Sequence, residues 1–158
     1  MNSIRKFYPD VPIIVGDDSI KRRKKIRDCI YKPLPPNIGL SAGRNIIIND
    51  VQTEHFLLLD DDFIFTENTD IAVLIDICSD GFDIVGGRVI GSKLIRLPDV
   101  CVFGMRKGIR CKLGIHDYYN GYVSCDFIAN FFAAKCDAVL GMGGWNPALK
   151  LDEHEDFL

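Results

Sequence analysis

The sequence predicts an α/β fold in which helices flank a mostly parallel β-sheet. Short apolar runs rich in β-favouring residues alternate with amphipathic segments, and the connections between them are short. Acidic side chains follow two of the predicted strands, Asp17-Asp18 after the first and Asp60-Asp61-Asp62 after a later one. Ligands of such sheets bind beyond the carboxyl ends of the strands, so we expect both acidic clusters to line one crevice.

The first predicted strand lies in VPIIVGDDS (11–19), where four apolar or β-favouring residues lead to Gly16 and two aspartates. The polar segment 20–30 is expected to form a short helix. Three prolines in YKPLPPN (31–37) restrict that segment to a loop or an extended edge.

Segment 38–51, IGLSAGRNIIINDV, is predicted to be a helix with Ser41 as its N-cap. Four apolar side chains can share one face of this helix: Ala42, Ile46, Ile47 and Val51. The run of isoleucines also permits a strand.

The central part of the chain gives the clearest pattern. The unbroken apolar run at 55–60 predicts a fully buried strand. An amphipathic helix is expected over 68–81, with Thr69 as its N-cap and Gly81 as its end. A further strand is expected over 82–90.

The second half is less regular. Residues 94–127 carry scattered glycine, aromatic and basic residues, which is typical of a binding loop or a layer of hairpins. Residues 128–149 indicate a strand, a short helix and a glycine-rich turn. The sequence then finishes on an acidic cluster in 150–158, an unusual way to end a domain.

Composition narrows the class of protein. With 47% apolar and 26% charged residues, the chain has the composition of a globular protein. A net charge of -3 gives no electrostatic case for binding nucleic acid, and the basic run at 21–25 fits a solvated helix face or loop. No apolar stretch approaches the roughly 20 residues of a membrane span, and no signal peptide follows Met1, so the segment taken literally would be cytosolic.

The six cysteines leave two interpretations open. No pair has CxxC spacing, which argues against a zinc site. An even count suits disulfides in an oxidising compartment, whereas buried free thiols fit equally well.

Three consecutive carboxylates after a buried strand repel one another, and removing their charges from water costs free energy. A divalent cation that offsets this cost is the simplest explanation for them. Alternate side chains of an extended segment point the same way, which would let Asp60 and Asp62 converge. Such a pair suits Mg²⁺ or Mn²⁺ bridging to substrate phosphates. A solvated acidic turn is the alternative, and the apolar strand before it disfavours that alternative.

Other candidates carry weaker signals. Asp17 and Asp18 are also common turn residues. Arg44, at a loop–helix junction, could clamp a phosphate or be an ordinary surface arginine. Near the end of the chain, Glu155 or Asp156 could take a proton from a hydroxyl, with His154 orienting it or binding metal, although charge-rich ends are usually only solvated.

Five segments, in this order, resemble the inverting glycosyltransferases of the GT-A fold: VGDDS, NIGLSAGRN, LLLDDDFIFT, DIVGG and NFFAA…GGWNPAL…HEDFL. The nearest likeness is to β-1,4-N-acetylgalactosaminyltransferases of the ganglioside-synthase type. It covers nearly the whole chain, and NxGLSAGRN followed by DDDFxFT is far more specific than a DxD motif alone.

The resemblance implies roles on the donor side. Asp18 would contact the uracil of a UDP-sugar, and Arg44 would lie near the diphosphate. Asp60 would approach the ribose, and Asp62, with Asp60, would hold Mn²⁺ or Mg²⁺. Further candidates for binding the nucleotide sugar are Asp17, Asp61, Asp126 and Asn130, the last two in a stretch that matches the donor-sugar site.

On the acceptor side the resemblance implies Gly144 and Trp145, whose ring could stack on a sugar. HEDFL matches the position of the catalytic base, with Asp156 favoured by analogy and Glu155 kept as the alternative. The implied reaction is an in-line displacement in which the base deprotonates an acceptor hydroxyl and the stereochemistry inverts.

The resemblance further implies one partial catalytic domain over 1–158, with a nucleotide-binding half at 1–100 and a donor-sugar and acceptor half at 101–158. The first strand of the fold and its C-terminal end, with a third metal ligand, would be missing. The partners would be a UDP-sugar donor and a glycan or glycolipid acceptor, and no nucleic acid. The full-length protein would be anchored in the membrane and act in the Golgi lumen.

Two other functions remain open from the sequence. A phosphatase of the haloacid dehalogenase type also carries DxD after a buried strand, but its motif lies near the chain start, and the place of its usual Thr or Val is held here by Ile64. A module that binds a nucleotide or sugar without turnover is the second alternative.

Overall fold

The computed structural model describes residues 1–21, 26–89, 100–103, 115–119, 122–125, 128 and 130–149. The chain divides into two compact units. The first comprises Met1–Gln52 together with the residues from Gly141 onward, and the second comprises Thr53–Leu140.

The first unit is built on two short parallel strands, β1 (Ile14–Asp17) and β2 (Ile30–Pro33), with Val15 opposite Tyr31. Helix α1 (Asn2–Phe7) precedes them and helix α2 (Leu40–Ile48) follows.

Gly16 of β1 is needed for the contact between this pair and α2. A Cβ at Gly16 would overlap the side-chain end of Ile47 and lie 2.9 Å from Cδ1 of Leu34. The glycine therefore lets the helix pack directly on the strand backbone.

Two sequence-based expectations for this unit are wrong. Residues 26–29 are not helical and Ile30 begins β2, so the helix expected over 20–30 does not form there; 22–25 lie outside the described residues. The polar composition of this segment suits a loop as well as a helix. Ser41 is not the N-cap of α2, because the N-cap is Gly39, two residues earlier, whose φ of 92° favours glycine.

The described residues of the second unit form a sheet of six strands, in the order β3-β8-β4-β5-β7-β6. Its strands are β3 (His55–Leu59), β4 (Ile84–Gly87), β5 (Val100–Phe103), β6 (Ile115–Tyr119), β7 (Tyr122–Cys125) and β8 (Phe131–Lys135).

The α/β class predicted from the sequence is confirmed, while the pairing is mixed rather than mostly parallel. Strand β8 lies between β3 and β4 and is antiparallel to both, so those two run parallel to each other without pairing. The pair β5–β7 is parallel, and β4–β5 and β6–β7 are antiparallel. The β6–β7 pair agrees with the expected layer of hairpins.

Helix α3 (Ile71–Ser79) covers one face of this sheet. Among the described residues of this unit, one cluster of the core contains five buried side chains: Leu74, Ile77, Cys78, Val85 and Ala133. Asp70, not Thr69, is the N-cap, since its Oδ1 accepts a hydrogen bond from the backbone N–H of Ala72 at 3.0 Å. Gly81, at φ 112°, follows the helix end as predicted.

Several further sequence-based expectations concern residues that the structure describes. The strand and short helix expected in 128–149 are β8 and α4 (Cys136–Gly141), and glycines 143 and 144 form the turn. Strand β3 is half-buried along its length rather than fully buried.

Among the described cysteines, Cys29, Cys78 and Cys136 are free thiols. None of the described helices has the length and apolar character to cross a bilayer. The expected halves at 1–100 and 101–158 stay a prediction.

Candidate functional site

The three aspartates lie in a turn directly after β3. Asp60 is half-buried, whereas Asp61 and Asp62 are exposed, and the backbone N–H of Phe63 points back to the carbonyl of Asp60 at 3.4 Å. The strand ends at Leu59, so the alternation of an extended segment does not extend to these side chains. The convergence of Asp60 and Asp62 on a cation therefore stays a prediction.

A cluster of aromatic rings holds the chain just beyond the acidic turn. Phe63 and Phe65 both meet the ring of Phe131 edge-on, with centroids 6.3 Å and 6.0 Å away. Phe131 also pairs with Leu59 in the β3–β8 ladder. The residues before and after the turn are thus fixed to the same strand, which limits the positions available to the carboxylates.

Asn130 lies directly before β8 and joins the acidic turn. Its Nδ2 donates a hydrogen bond to Oδ2 of Asp60 at 3.1 Å, and the residue is only 8% exposed. Its Oδ1 is buried and has no hydrogen-bond partner within the part of the chain that the structure describes. The structure therefore brings together Asp60 and Asn130, both predicted to bind the nucleotide sugar. The buried Oδ1 of Asn130 can accept a hydrogen bond from a ligand.

In the first unit, the carboxylates of Asp17 and Asp18 are both tied to nearby groups. Asp17 accepts hydrogen bonds from the Tyr31 hydroxyl at 2.6 Å and from the backbone N–H of Ser19 at 2.9 Å. Asp18 accepts from the backbone N–H of Gly39, the residue that precedes α2, at 3.3 Å. These contacts shape the turn after β1 and link it to the start of α2, so the structural role of the pair is clear from the contacts alone.

Arg44 lies in α2, is 9% exposed, and has its guanidinium 5.9 Å from the centre of the Trp145 ring. This distance is within the range of a cation–π interaction. Trp145 is itself only 2% exposed. A ring buried in this way does not offer a face to a sugar, so stacking is not how Trp145 would serve an acceptor. The assignment of Gly144 and Trp145 to the acceptor side stays a prediction.

Asn45 is the residue that sequence reasoning missed. Its side chain forms hydrogen bonds with both the backbone N–H and the carbonyl of Trp145. The sequence did offer a signal, since an asparagine inside a helix is unusual unless its amide has a partner.

The remaining predicted residues cannot be placed. Asp126, Glu155, Asp156 and His154 lie outside the described residues. The prediction that both acidic clusters line one crevice concerns both units and also stays a prediction.

For a cation, carboxylates are the appropriate donors. The Asp60 and Asp62 oxygens fit the hard-ligand preference of Mg²⁺ and Mn²⁺. Within the described part of the chain, no group of three or more His, Cys, Asp or Glu side chains is arranged to hold a metal ion.

The match to a protein-family model decides which family the chain represents. The model described as "Glycosyl transferase family 2" matches residues 1–100 of the 158. The chain belongs to glycosyl transferase family 2. The matched region includes β1, α2 and the acidic turn after β3, so it covers most of the candidate residues that the structure describes.

Curated relatives of this family 2 chain agree with that assignment. Beta-1,4 N-acetylgalactosaminyltransferase 2 of Mus musculus is 35% identical over 99% of the chain and 32% of its own length. Beta-1,4 N-acetylgalactosaminyltransferase 1 is 34% identical in Mus musculus and 32% identical in Homo sapiens, again over nearly the whole chain. The chain thus spans about a third of the length of these relatives. No solved structure matches it significantly.

Proposed function

We propose that this family 2 chain is part of an enzyme that transfers a sugar from a UDP-sugar to a hydroxyl of a glycan or glycolipid, with inversion at the anomeric carbon. The observation that carries the proposal is the pairing of Asp60 with Asn130 beside an acidic turn. The names of the relatives make N-acetylgalactosamine the first donor sugar to test.

On the donor side, Asp18 would meet the uracil and Arg44 the diphosphate. Asp60 would accept a hydrogen bond from a ribose hydroxyl. Oδ1 of Asn130, which has no partner among the described residues, would accept another from the nucleotide sugar. Asp17 would support Asp18 through the hydrogen bonds that fix its turn.

Asp62, with Asp60, would hold Mn²⁺ or Mg²⁺. When bound, such a cation offsets the negative charge of the diphosphate leaving group. The support for this role is the donor chemistry of the two carboxylates and the exposure of Asp62 at the turn.

The base would be Asp156 or Glu155, which takes the proton from the acceptor hydroxyl as that oxygen attacks the anomeric carbon. Because attack and departure occur on opposite faces of the sugar, the configuration inverts. We also propose that the full-length protein acts in the Golgi lumen on a membrane anchor, as the resemblance to transferases of the ganglioside-synthase type implies.

A panel of UDP-sugars tests the proposal directly. The chain is incubated with each donor and a glycan or glycolipid acceptor, with and without Mn²⁺, and both released UDP and sugar-extended acceptor are measured. We expect Mn²⁺-dependent release that is greatest with UDP-N-acetylgalactosamine. Release of inorganic phosphate instead of UDP would contradict transfer and favour a phosphatase.

A module that binds a nucleotide or sugar without turnover is the second candidate, because the contact between Asp60 and Asn130 would serve binding alone equally well. Calorimetry separates the two: UDP binding without turnover would favour the module, and UDP binding with turnover the transferase.

A further inference from the structure

Asn45 makes a two-point contact with a residue 100 positions away in the chain. Its Nδ2 donates to the carbonyl of Trp145 at 2.6 Å, and its Oδ1 accepts from the backbone N–H of the same residue at 2.8 Å. The side-chain amide therefore pairs with the main chain of Trp145 as a neighbouring peptide group would. An amide side chain suits this pairing because it carries a donor and an acceptor on two separate atoms.

Gly144 adapts the chain to this contact. Its φ of 74° lies in the left-handed region, and a Cβ there would overlap Oδ1 of Asn45. A glycine at 144 is therefore required for two independent reasons, backbone conformation and space.

The contact fixes the main chain that carries the Trp145 ring, and the guanidinium of Arg44 lies 5.9 Å from the centre of that ring. Arg44 and Asn45 are adjacent in α2, so one turn of helix supplies both the amide and the cation. Holding a guanidinium on an aromatic face reduces the orientations open to it, which lowers the entropy lost when it binds an anion.

We infer that Asn45 is a positioning residue: its amide clamps Trp145 against α2, and the Trp145 ring in turn sets the orientation in which Arg44 meets the diphosphate of the donor. The part of this inference that concerns the diphosphate rests on the proposed function. The clamp itself rests only on the contacts of Asn45, Gly144 and Trp145.

The chain contains a single tryptophan, so the fluorescence of Trp145 reports on the clamp without any ligand. We compare the unaltered chain with Asn45→Ala, Asn45→Asp and, as the matched control, Asn49→Ala. Asn49 is exposed, is the C-cap residue of α2, and donates a hydrogen bond to the backbone carbonyl of Asn45. Asn45→Asp keeps the volume but removes the donor to the Trp145 carbonyl, and it serves if the alanine variant does not fold.

Both Asn45 variants are expected to shift the tryptophan emission to longer wavelength and to increase its quenching by acrylamide, while Asn49→Ala changes neither. Calorimetry with UDP and with uridine gives the second measurement. We expect the affinity for UDP to fall by at least about fivefold in the Asn45 variants, because a charge-assisted hydrogen bond is misplaced, while the affinity for uridine is unchanged.

Different results would contradict the clamp and the positioning of Arg44. Unchanged emission and quenching in a folded Asn45 variant would overturn the clamp. An intact UDP affinity, or an equal loss for UDP and uridine, would overturn the positioning of Arg44. If the unaltered chain binds neither ligand, the proposed function and the diphosphate role fall together, and the fluorescence alone decides on the clamp.

Discussion

The Nδ2 of Asn130 donates a hydrogen bond to Oδ2 of Asp60 across 3.1 Å, although the two residues are 70 positions apart. Asn130 precedes β8 and Asp60 follows β3, and these two strands are neighbours in the sheet. Because the strands are antiparallel, the end of β3 and the start of β8 lie at the same edge. The sheet thus brings a buried amide to the first carboxylate of the acidic turn.

Replacing Asn130 with alanine should destabilise this edge and weaken nucleotide binding. Losing a hydrogen bond to a charged group costs about 1–3 kcal/mol of folding free energy, and Asp60 would lose its orientation as well. Urea denaturation and UDP calorimetry measure the two effects. Asn68→Ala, at an exposed site, is the control and should leave both unchanged. Equal UDP affinity for Asn130→Ala and the unaltered chain would argue against a role for the pair in binding.

Gly87 should not tolerate alanine. A Cβ there would lie 2.5 Å from Cε1 and 2.6 Å from Cδ1 of Phe131, whose ring Phe63 and Phe65 already hold edge-on. A rigid ring cannot move aside as a flexible side-chain end can, so overpacking should cost about 1–3 kcal/mol. Thermal unfolding is the measurement.

Gly141→Ala is the matched control for that substitution. It lies at the end of α4, and a Cβ there meets nothing within 4 Å. The control should unfold at an unchanged or slightly higher temperature. Equal stability of the two variants would show that Phe131 repacks freely.

Asp70→Ala should destabilise α3 by about 1 kcal/mol, since Asp70 is the residue whose side chain caps that helix. Asp80→Ala, at the other end of the same helix, removes a negative charge near the carboxyl terminus and should be neutral or slightly stabilising. Chemical denaturation measures the free energy of unfolding of both variants. A loss of stability in Asp80→Ala as large as that in Asp70→Ala would contradict the capping role of Asp70.

The elements that the sequence predicted well are those with strong local patterns. The apolar run before Asp60 and the amphipathic helix ending at Gly81 both formed at the expected places. The helix expected before β2 is absent from the described residues 26–30, because Ile30 pairs with Ile14 in the parallel strand, and a pairing between separate segments overrides weak local preference.

The contacts that organise the candidate sites are the ones that local patterns cannot show. Nothing in the sequence around Asn45 or Trp145 indicates that they meet, or that the Trp145 ring is buried instead of open to a sugar. The placement of β8 between β3 and β4 is likewise a property of the sheet order, which spacing alone does not determine. The candidate residues were selected from the sequence and their roles stay predictions, whereas the contacts they make could not be inferred from the sequence.

Cys78 should remain unreactive in the folded chain. Burial raises the pKa of its thiol to about 11, with Lys135 lowering and Asp83 raising it by smaller amounts. The thiolate is the reactive form, so Cys78 should resist alkylation at neutral pH while the partly exposed Cys29 is modified. Mass spectrometry after labelling locates the modified sites, and rapid labelling of Cys78 without unfolding would contradict its burial.

The same pKa shift gives a pH dependence of stability. Below pH 9.0 the Cys78 thiol is protonated in both the folded and the unfolded chain, so its contribution to folding stability is fully present. Between 9.0 and about 11 it ionises only in the unfolded chain, and folding stability is lost across that window. Urea denaturation should show that Cys78→Ala loses less folding stability over this pH range than the unaltered chain. An identical loss of stability in both would contradict the raised pKa of Cys78.

Asp62→Asn should abolish the metal-dependent part of UDP binding. An amide oxygen is a neutral and weaker ligand for Mg²⁺ or Mn²⁺ than a carboxylate, and the exposed position of Asp62 at the turn means that its replacement should not disturb folding. Calorimetry of UDP with and without Mn²⁺ measures the effect. Glu67→Gln is the control, because it removes one exposed carboxylate a few residues further along the same loop. We expect the Mn²⁺-dependent gain in affinity to persist in Glu67→Gln and to vanish in Asp62→Asn; a gain of the same size in both variants would remove Asp62 from the metal site.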